Sequence, residues 1–133
     1  MPRIPIVAVV DDDEAIREAL CDLLMVAGLS CRSFASGHAF LADQLPQHVD
    51  CVVTDIRMPG MSGLELIERI RADGRDLPII VLTSVVDSSA RARARDLGDP
   101  VWLMKPVADE ILLGHLKAAL TDGDFIWLDG PQG

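Results

Sequence analysis

The run from Ile4 to Val10 is continuously apolar, rich in β-branched side chains, and stops at Asp11-Asp12-Asp13-Glu14. A strand with no polar alternate positions has both faces covered, and parallel sheets flanked by helices provide that environment. The next segment suits such a sheet. Ile16, Ala19, Leu20, Leu23, Leu24 and Ala27 recur at helical spacing, and Gly28 stands where a helix C-terminus favours glycine. Strand, acidic turn and amphipathic helix make the first half of a βαβ unit.

The alternation continues along the chain. Leu29–Phe34 reads as a weaker strand and Gly37–Leu45 as a short helix closed by Pro46. Cys51–Thr54 is a second buried strand ending at Asp55. A loop with Pro59, Gly60 and Gly63 then leads into a helix carrying Leu64, Ile67 and Ile70 on one face. Ile79–Thr83 is the next strand, Ser88–Leu97 a polar helix, and Val101–Met104 a short last strand. Asp109–Leu120 is an amphipathic helix with Ile111, Leu112, Leu116 and Leu120 inward. Five strands alternating with five helices predict an α/β fold, a flavodoxin-like, doubly wound, five-stranded parallel sheet with helices on both faces. The expected organisation is one domain over residues 1–120 and a short tail over 121–133, with Phe125-Ile126-Trp127-Leu128 as its apolar patch.

Charge excludes some functions. The 133 residues carry 12 basic and 21 acidic side chains, net −9, so the basic footprint of a self-sufficient nucleic-acid binder is missing. No charge-free run approaches the roughly 18 residues of a membrane span, and Met1–Val10 is too short for a signal peptide. These features predict a cytoplasmic protein without direct nucleic-acid or membrane contact. Cys21, Cys31 and Cys51, odd in number and widely spaced, read as reduced core residues.

In an open parallel sheet, ligands bind beyond the carboxyl ends of the strands. The residues expected there are Asp11 and Asp12, Asp55, Thr83 and Ser84, and Lys105. Each alone reads equally well as a helix cap or turn residue. Together they place three carboxylates, a hydroxyl and an ammonium on one edge. Clustered carboxylates repel unless a cation joins them, and Mg²⁺ suits one to three carboxylates plus waters. Such an ion holds a phosphoryl group, Thr and Lys donate to its other oxygens, and one carboxylate serves as nucleophile. Position favours Asp55, alone at the end of the central strand.

These residues resemble the receiver domain of two-component response regulators. The carrying motifs are Val9-Val10-Asp11-Asp12, Asp55-Ile56-Arg57-Met58-Pro59-Gly60-Met61-Ser62-Gly63-Leu64-Glu65-Leu66, Leu82-Thr83-Ser84 and Lys105-Pro106-Val107. The resemblance spans about residues 4 to 120. It implies that Asp55 accepts a phosphoryl group from a sensor histidine kinase or phosphotransfer protein. Asp11, Asp12, Asp55 and the backbone carbonyl of Arg57 would hold Mg²⁺. Thr83 and Lys105 would contact the phosphoryl oxygens, and Lys105-Pro106 would be cis. The domain would be a signalling switch rather than an enzyme, with homodimerisation through the last two helices as one mode of assembly. Output would run through protein contacts or through a DNA-binding domain outside this chain, in the service of transcription regulation.

Three positions depart from the family pattern. Asp99-Pro100 follows Gly98 in place of a small residue, Trp102 stands where a Tyr or Phe usually changes rotamer, and Ser84 replaces Ala or Gly. The helix Ser88–Leu97 has an inward face of only Ala90, Ala94 and Leu97, which fits an ordinary solvated helix and equally a mobile, partner-facing element. Two rival functions fit less of the sequence. A phosphohydrolase built on Asp11-x-Asp13 leaves Asp55 and its Met-Pro loop unexplained. A phosphorylation-independent pseudo-receiver leaves the intact acidic set unexplained.

Overall fold

A computed structural model describes residues 4–43 and 49–120. Its elements are β1 (Ile6–Val10), α1 (Glu14–Val26), β2 (Ser30–Phe34), α2 (Gly37–Ala42), β3 (Cys51–Thr54), α3 (Gly63–Ala72), β4 (Ile79–Thr83), α4 (Ser88–Ala94), β5 (Val101–Met104) and α5 (Asp109–Leu120). All strand pairs are parallel, in the order β2-β1-β3-β4-β5. This is the expected doubly wound sheet. The chain moves outward from β1 to β2 and then returns to place β3 on the other side, so the winding reverses between β1 and β3.

Two-residue periodicity sorts the strand side chains into two cores. Ala8, Val10, Val52, Ile79 and Val81 face α2, α3 and α4, through Phe40, Leu66, Ile67, Ile70, Ala90 and Ala94. Val7, Val9, Cys51, Val53, Ile80 and Leu82 face α1 and α5, through Leu24, Leu112, Leu116 and Leu120. Neither face is left open. That accounts for the unbroken apolar runs in β1, β3 and β4.

Several boundaries and positions differ from expectation. β1 begins at Ile6, and β2 begins at Ser30 because Leu29 still closes the turn after α1 through its bond to the Leu24 carbonyl. α2 ends at Ala42, while Leu45, Pro46 and the whole 121–133 tail lie outside the described residues. The helix expected to reach Leu97 is α-helical only to Ala94. It tightens into a 3₁₀ turn at Arg95–Leu97 and ends at Gly98 with φ 92°. Ile111, expected inward, is 51% exposed, because the core stripe of α5 runs through Leu112, Leu116 and Leu120.

The cysteines require a larger correction. Cys51 is the buried, free core thiol that was expected. Cys21 and Cys31 are instead joined in a disulfide. α1 lies across β2 and brings the two Cα atoms to 5.5 Å, within disulfide range.

Candidate functional site

Asp11 and Asp55 follow directly on β1 and β3, the two strands that flank the winding reversal. The Asp55 amide donates to the Val10 carbonyl, so the ladder holds both carboxylates in one plane of the sheet. Asp11 is 3% and Asp55 9% exposed, whereas Asp12 is open to solvent. One carboxylate oxygen from each of Asp11, Asp12 and Asp55 lies within 4.8 Å of the others. The structure thus brings together the three acids singled out in the sequence.

Lys105, after β5, reaches across β4 to this cluster. Its Nζ donates to Asp11 Oδ2 at 2.8 Å and to Asp55 Oδ2 at 3.0 Å. Its own amide donates to the Thr83 carbonyl, and the Lys105-Pro106 bond is cis, as the resemblance implied. Burial alone pulls the Lys105 ammonium down in pKa. Hydrogen bonds and attraction from Asp11 and Asp55 outweigh it, and the net shift is upward from 10.5. Three carboxylates against one ammonium leave two negative charges uncompensated. Hard oxygen donors with that surplus suit a divalent ion such as Mg²⁺.

The two oxygens of Asp55 are differently engaged. Oδ1 accepts from the Ile56 amide at 2.6 Å and from the Arg57 amide at 3.3 Å, while Oδ2 faces Lys105. The Arg57 side chain points into solvent. Behind this loop, α3 begins with a capping box in which Ser62 Oγ accepts from the Glu65 amide and Glu65 accepts from the Ser62 amide. Gly63 sits directly under the loop. A Cβ there would run into the Asp55 carbonyl and the Ile56 Cα.

Thr83 is buried at the end of β4, with its Oγ1 accepting a long 3.4 Å bond from the Val85 amide. Trp102 is set apart from the carboxylates. It shares a cavity of about 190 Å³ with Thr83, Val85 and Arg91, and its indole N–H is buried without a hydrogen-bond partner among the described residues. Ser84 is exposed beside Lys105, on the rim of an apolar groove lined by Ile16, Leu20, Leu23 and Val107.

Two contributors escaped the sequence reading. Arg17 donates from Nη1 to the Asp11 carbonyl at 2.7 Å, fixing the backbone that presents Asp11. Its place one turn into α1 was the only signal, and an arginine there is usually solvated. Asp13 accepts the Ala15 and Ile16 amides as the acid at the N-terminus of α1, and what escaped is its own amide, which donates to Asp11 Oδ1 at 2.9 Å.

A buried acidic cluster answered by a lysine at the reversal of a doubly wound parallel sheet defines a receiver-type signalling module. The chain belongs to the response regulator receiver domain family, whose model matches residues 7–117. The transcriptional regulatory protein FixJ of Azorhizobium caulinodans is 40% identical over 120 residues, covering 90% of this chain and 57% of that protein. The response regulator protein TodT of Pseudomonas putida is 36% identical over 118 residues, covering 89% of this chain and 52% of TodT. The chain therefore spans about half the length of these curated relatives. Among solved structures, the Vibrio cholerae chemotaxis protein CheY4 superposes with a TM-score of 0.81 at 29% identity, covering 88% of this chain and 99% of that one. The crystal structure of FixJ-N gives 0.79 at 30% identity, covering 91% and 97%. Among the described residues, no helix is long and apolar enough to cross a membrane.

Proposed function

We propose that this domain is a phosphoryl-accepting switch, with Asp55 as acceptor and a histidine kinase or phosphotransfer protein as donor. The observation that carries the reading is Lys105 Nζ held between Asp11 and Asp55, with Thr83 at the end of the intervening strand. Asp11, Asp12, Asp55 and the Arg57 carbonyl are the groups that would hold Mg²⁺, which when bound supplies charge neutralisation for an incoming phosphoryl group.

The chain's own residues do the rest. The Ile56 and Arg57 amides fix the Asp55 carboxylate through Oδ1, and low exposure leaves it a narrow approach. In the transfer, a bond forms from an Asp55 oxygen to phosphorus while the donor's bond to phosphorus breaks. The leaving group carries away the electron pair of that bond. Lys105 pairs with the new anionic oxygens, and Thr83, weakly held by the Val85 amide, is free to turn and donate to one. Trp102 beside Thr83 is the residue that would register that turn.

The receiver would occupy residues 1–120 of this chain and work in the cytoplasm. Its output would pass through protein contacts, α4–α5 dimerisation included, or through a DNA-binding domain beyond this chain. The naming of FixJ as a transcriptional regulator supports the latter. Incubation with Mg²⁺ and acetyl phosphate, followed by intact mass, tests the core of the reading. One phosphoryl adduct is expected, absent in Asp55→Asn and without Mg²⁺. No adduct, or one that survives Asp55→Asn, overturns it.

A further inference from the structure

One pair of side chains lies outside the acidic cluster and its lysine. Cys21, in the middle of α1, and Cys31, on the edge strand β2, form a disulfide. Neither belongs to the fully buried core. Both are half-buried, and Cys21 lines an open polar groove with Glu14, Arg17, Glu18 and Ser33. Cys21 therefore borders a groove that is open to solvent.

Cys51 provides the contrast. It is fully buried, and burial, with a smaller push from Asp50, raises its thiol to about 12. Val7 of β1 pairs in register with Cys31 on one side and Cys51 on the other. At about 4.8 Å per strand, Cys51 sits two strands from Cys31, too far to exchange with it. Thiol chemistry in this domain therefore concentrates on Cys21 and Cys31.

The bridge also has a short route to the acidic cluster. Arg17 precedes Cys21 by one helical turn and shares its face, and Arg17 holds the Asp11 carbonyl at 2.7 Å. Fixing Cys21 to β2 fixes the turn of α1 that carries Arg17, and with it the backbone that presents Asp11. In reducing compartments protein disulfides are typically transient and redox-sensing rather than structural.

We propose that Cys21 and Cys31 are a reversible thiol–disulfide modification site, served by small thiols and disulfides of the glutathione class. Its closure clamps α1 on β2 and tightens divalent-cation binding at Asp11, Asp12 and Asp55. The second half rests on the proposed role of those carboxylates. In closure, the Cys21 thiolate attacks one sulfur of the small disulfide, whose S–S bond breaks and releases one small thiolate. The Cys31 thiolate then attacks Cys21 sulfur, and the second small thiolate leaves. Two protein thiols are oxidised, one small disulfide is reduced to two thiols, and those thiols take up the two protons.

The test equilibrates the full chain in buffers of rising reduced-to-oxidised glutathione ratio, traps free thiols by alkylation and counts them by intact mass. Mg²⁺ is then titrated into each form, with amide shifts at Asp11 and Asp55 as readout. Two thiols should open together while Cys51 stays unlabelled in the native protein, and Mg²⁺ affinity should fall roughly fivefold on opening. Cys21→Ser and Cys31→Ser should bind Mg²⁺ like the opened form in every buffer. A bridge that stays closed throughout is a fixed cross-link and overturns the modification site. Equal Mg²⁺ affinity in the two forms overturns the coupling. Absence of Mg²⁺ binding in both forms overturns the coupling together with the functional reading, and the thiol count distinguishes that failure from the first.

Discussion

α3 and α4 are neighbours on one face of the sheet, yet they are built to different standards. α3 has ten residues, opens on a capping box and buries Leu64, Leu66, Ile67 and Ile70. α4 has seven, buries only Ala90 and Ala94, and decays into a 3₁₀ turn. The strands beside them repeat the contrast. β3 is buried at all four positions, while β5, also four residues long, is exposed at both ends. The well-packed unit carries Asp55, and the loosely packed unit borders Thr83 and carries Trp102. The proposed acceptor is held by elements that are costly to move, and the residues that would sense its state adjoin elements that are cheap to move.

The strongest test of that contrast is a truncation on each side. Ile67 is fully buried in the core that α3 makes with the sheet, so Ile67→Ala should cost about 2–5 kcal/mol of unfolding free energy. Val86, in the loop that leads into α4, is 80% exposed, and Val86→Ala should stay within about 0.5 kcal/mol. Urea unfolding measures both. Similar losses at the two positions would erase the distinction.

Gly63→Ala sharpens the same point at the site. Its new methyl group meets backbone rather than a flexible side chain, namely the Asp55 carbonyl and Ile56 Cα. Overpacking of this kind costs about 1–3 kcal/mol. The loop that carries Asp55 must also shift, so acetyl phosphate labelling should drop out of proportion to the lost stability. A variant that labels at the parent rate would show that the α3 start does not position Asp55.

Much of this architecture was legible because burial on both faces writes itself as unbroken apolar runs, and each run ends at a residue of the acidic cluster or its neighbours. Asp11, Asp12, Asp55, Thr83 and Lys105 were readable for that reason. The Cys21–Cys31 bridge was not, since it depends on α1 crossing β2, and ten residues of separation carry no trace of that crossing. Ile111 misled because an apolar residue beside a helical stripe looks the same in sequence whether it joins the stripe or borders it. The early end of α4 was hidden too. Its alternating Ala and Arg suit a helix throughout, and only packing shows that little holds the last turn.

A pH series probes the β3 side. With Cys21→Ser and Cys31→Ser, Cys51 is the sole thiol among the three cysteines of the chain. Its folded-state value of about 12 lies above the ordinary 9.0, so the folded protein keeps a proton that the unfolded chain releases. Stability from this group is complete below pH 9 and is lost as pH rises toward 12, at up to about 1.4 kcal/mol per pH unit. Cys51→Ala in that background should remove this part of the alkaline slope. An unchanged slope would mean that β3 opens to water more readily than its burial indicates.

The smallest effect is expected where the two helices touch. Arg93 of α4 donates to Glu68 of α3 at 3.2 Å, and the two side chains are 61% and 42% exposed. Exposed pairs of this kind contribute about 0.2–1 kcal/mol and are screened by salt, so Arg93→Ala should sit at the low end of that range. The informative readout is hydrogen exchange. If α4 is held by its two alanines and this weak pair, its amides should exchange faster than those of α3 in the parent. They should quicken further in Arg93→Ala, while α3 stays unchanged. Phosphorylation should then alter α4 exchange more than α3 exchange. Equal exchange in α4 with and without the phosphoryl group would leave the loose packing of this helix as a local property with no part in signalling.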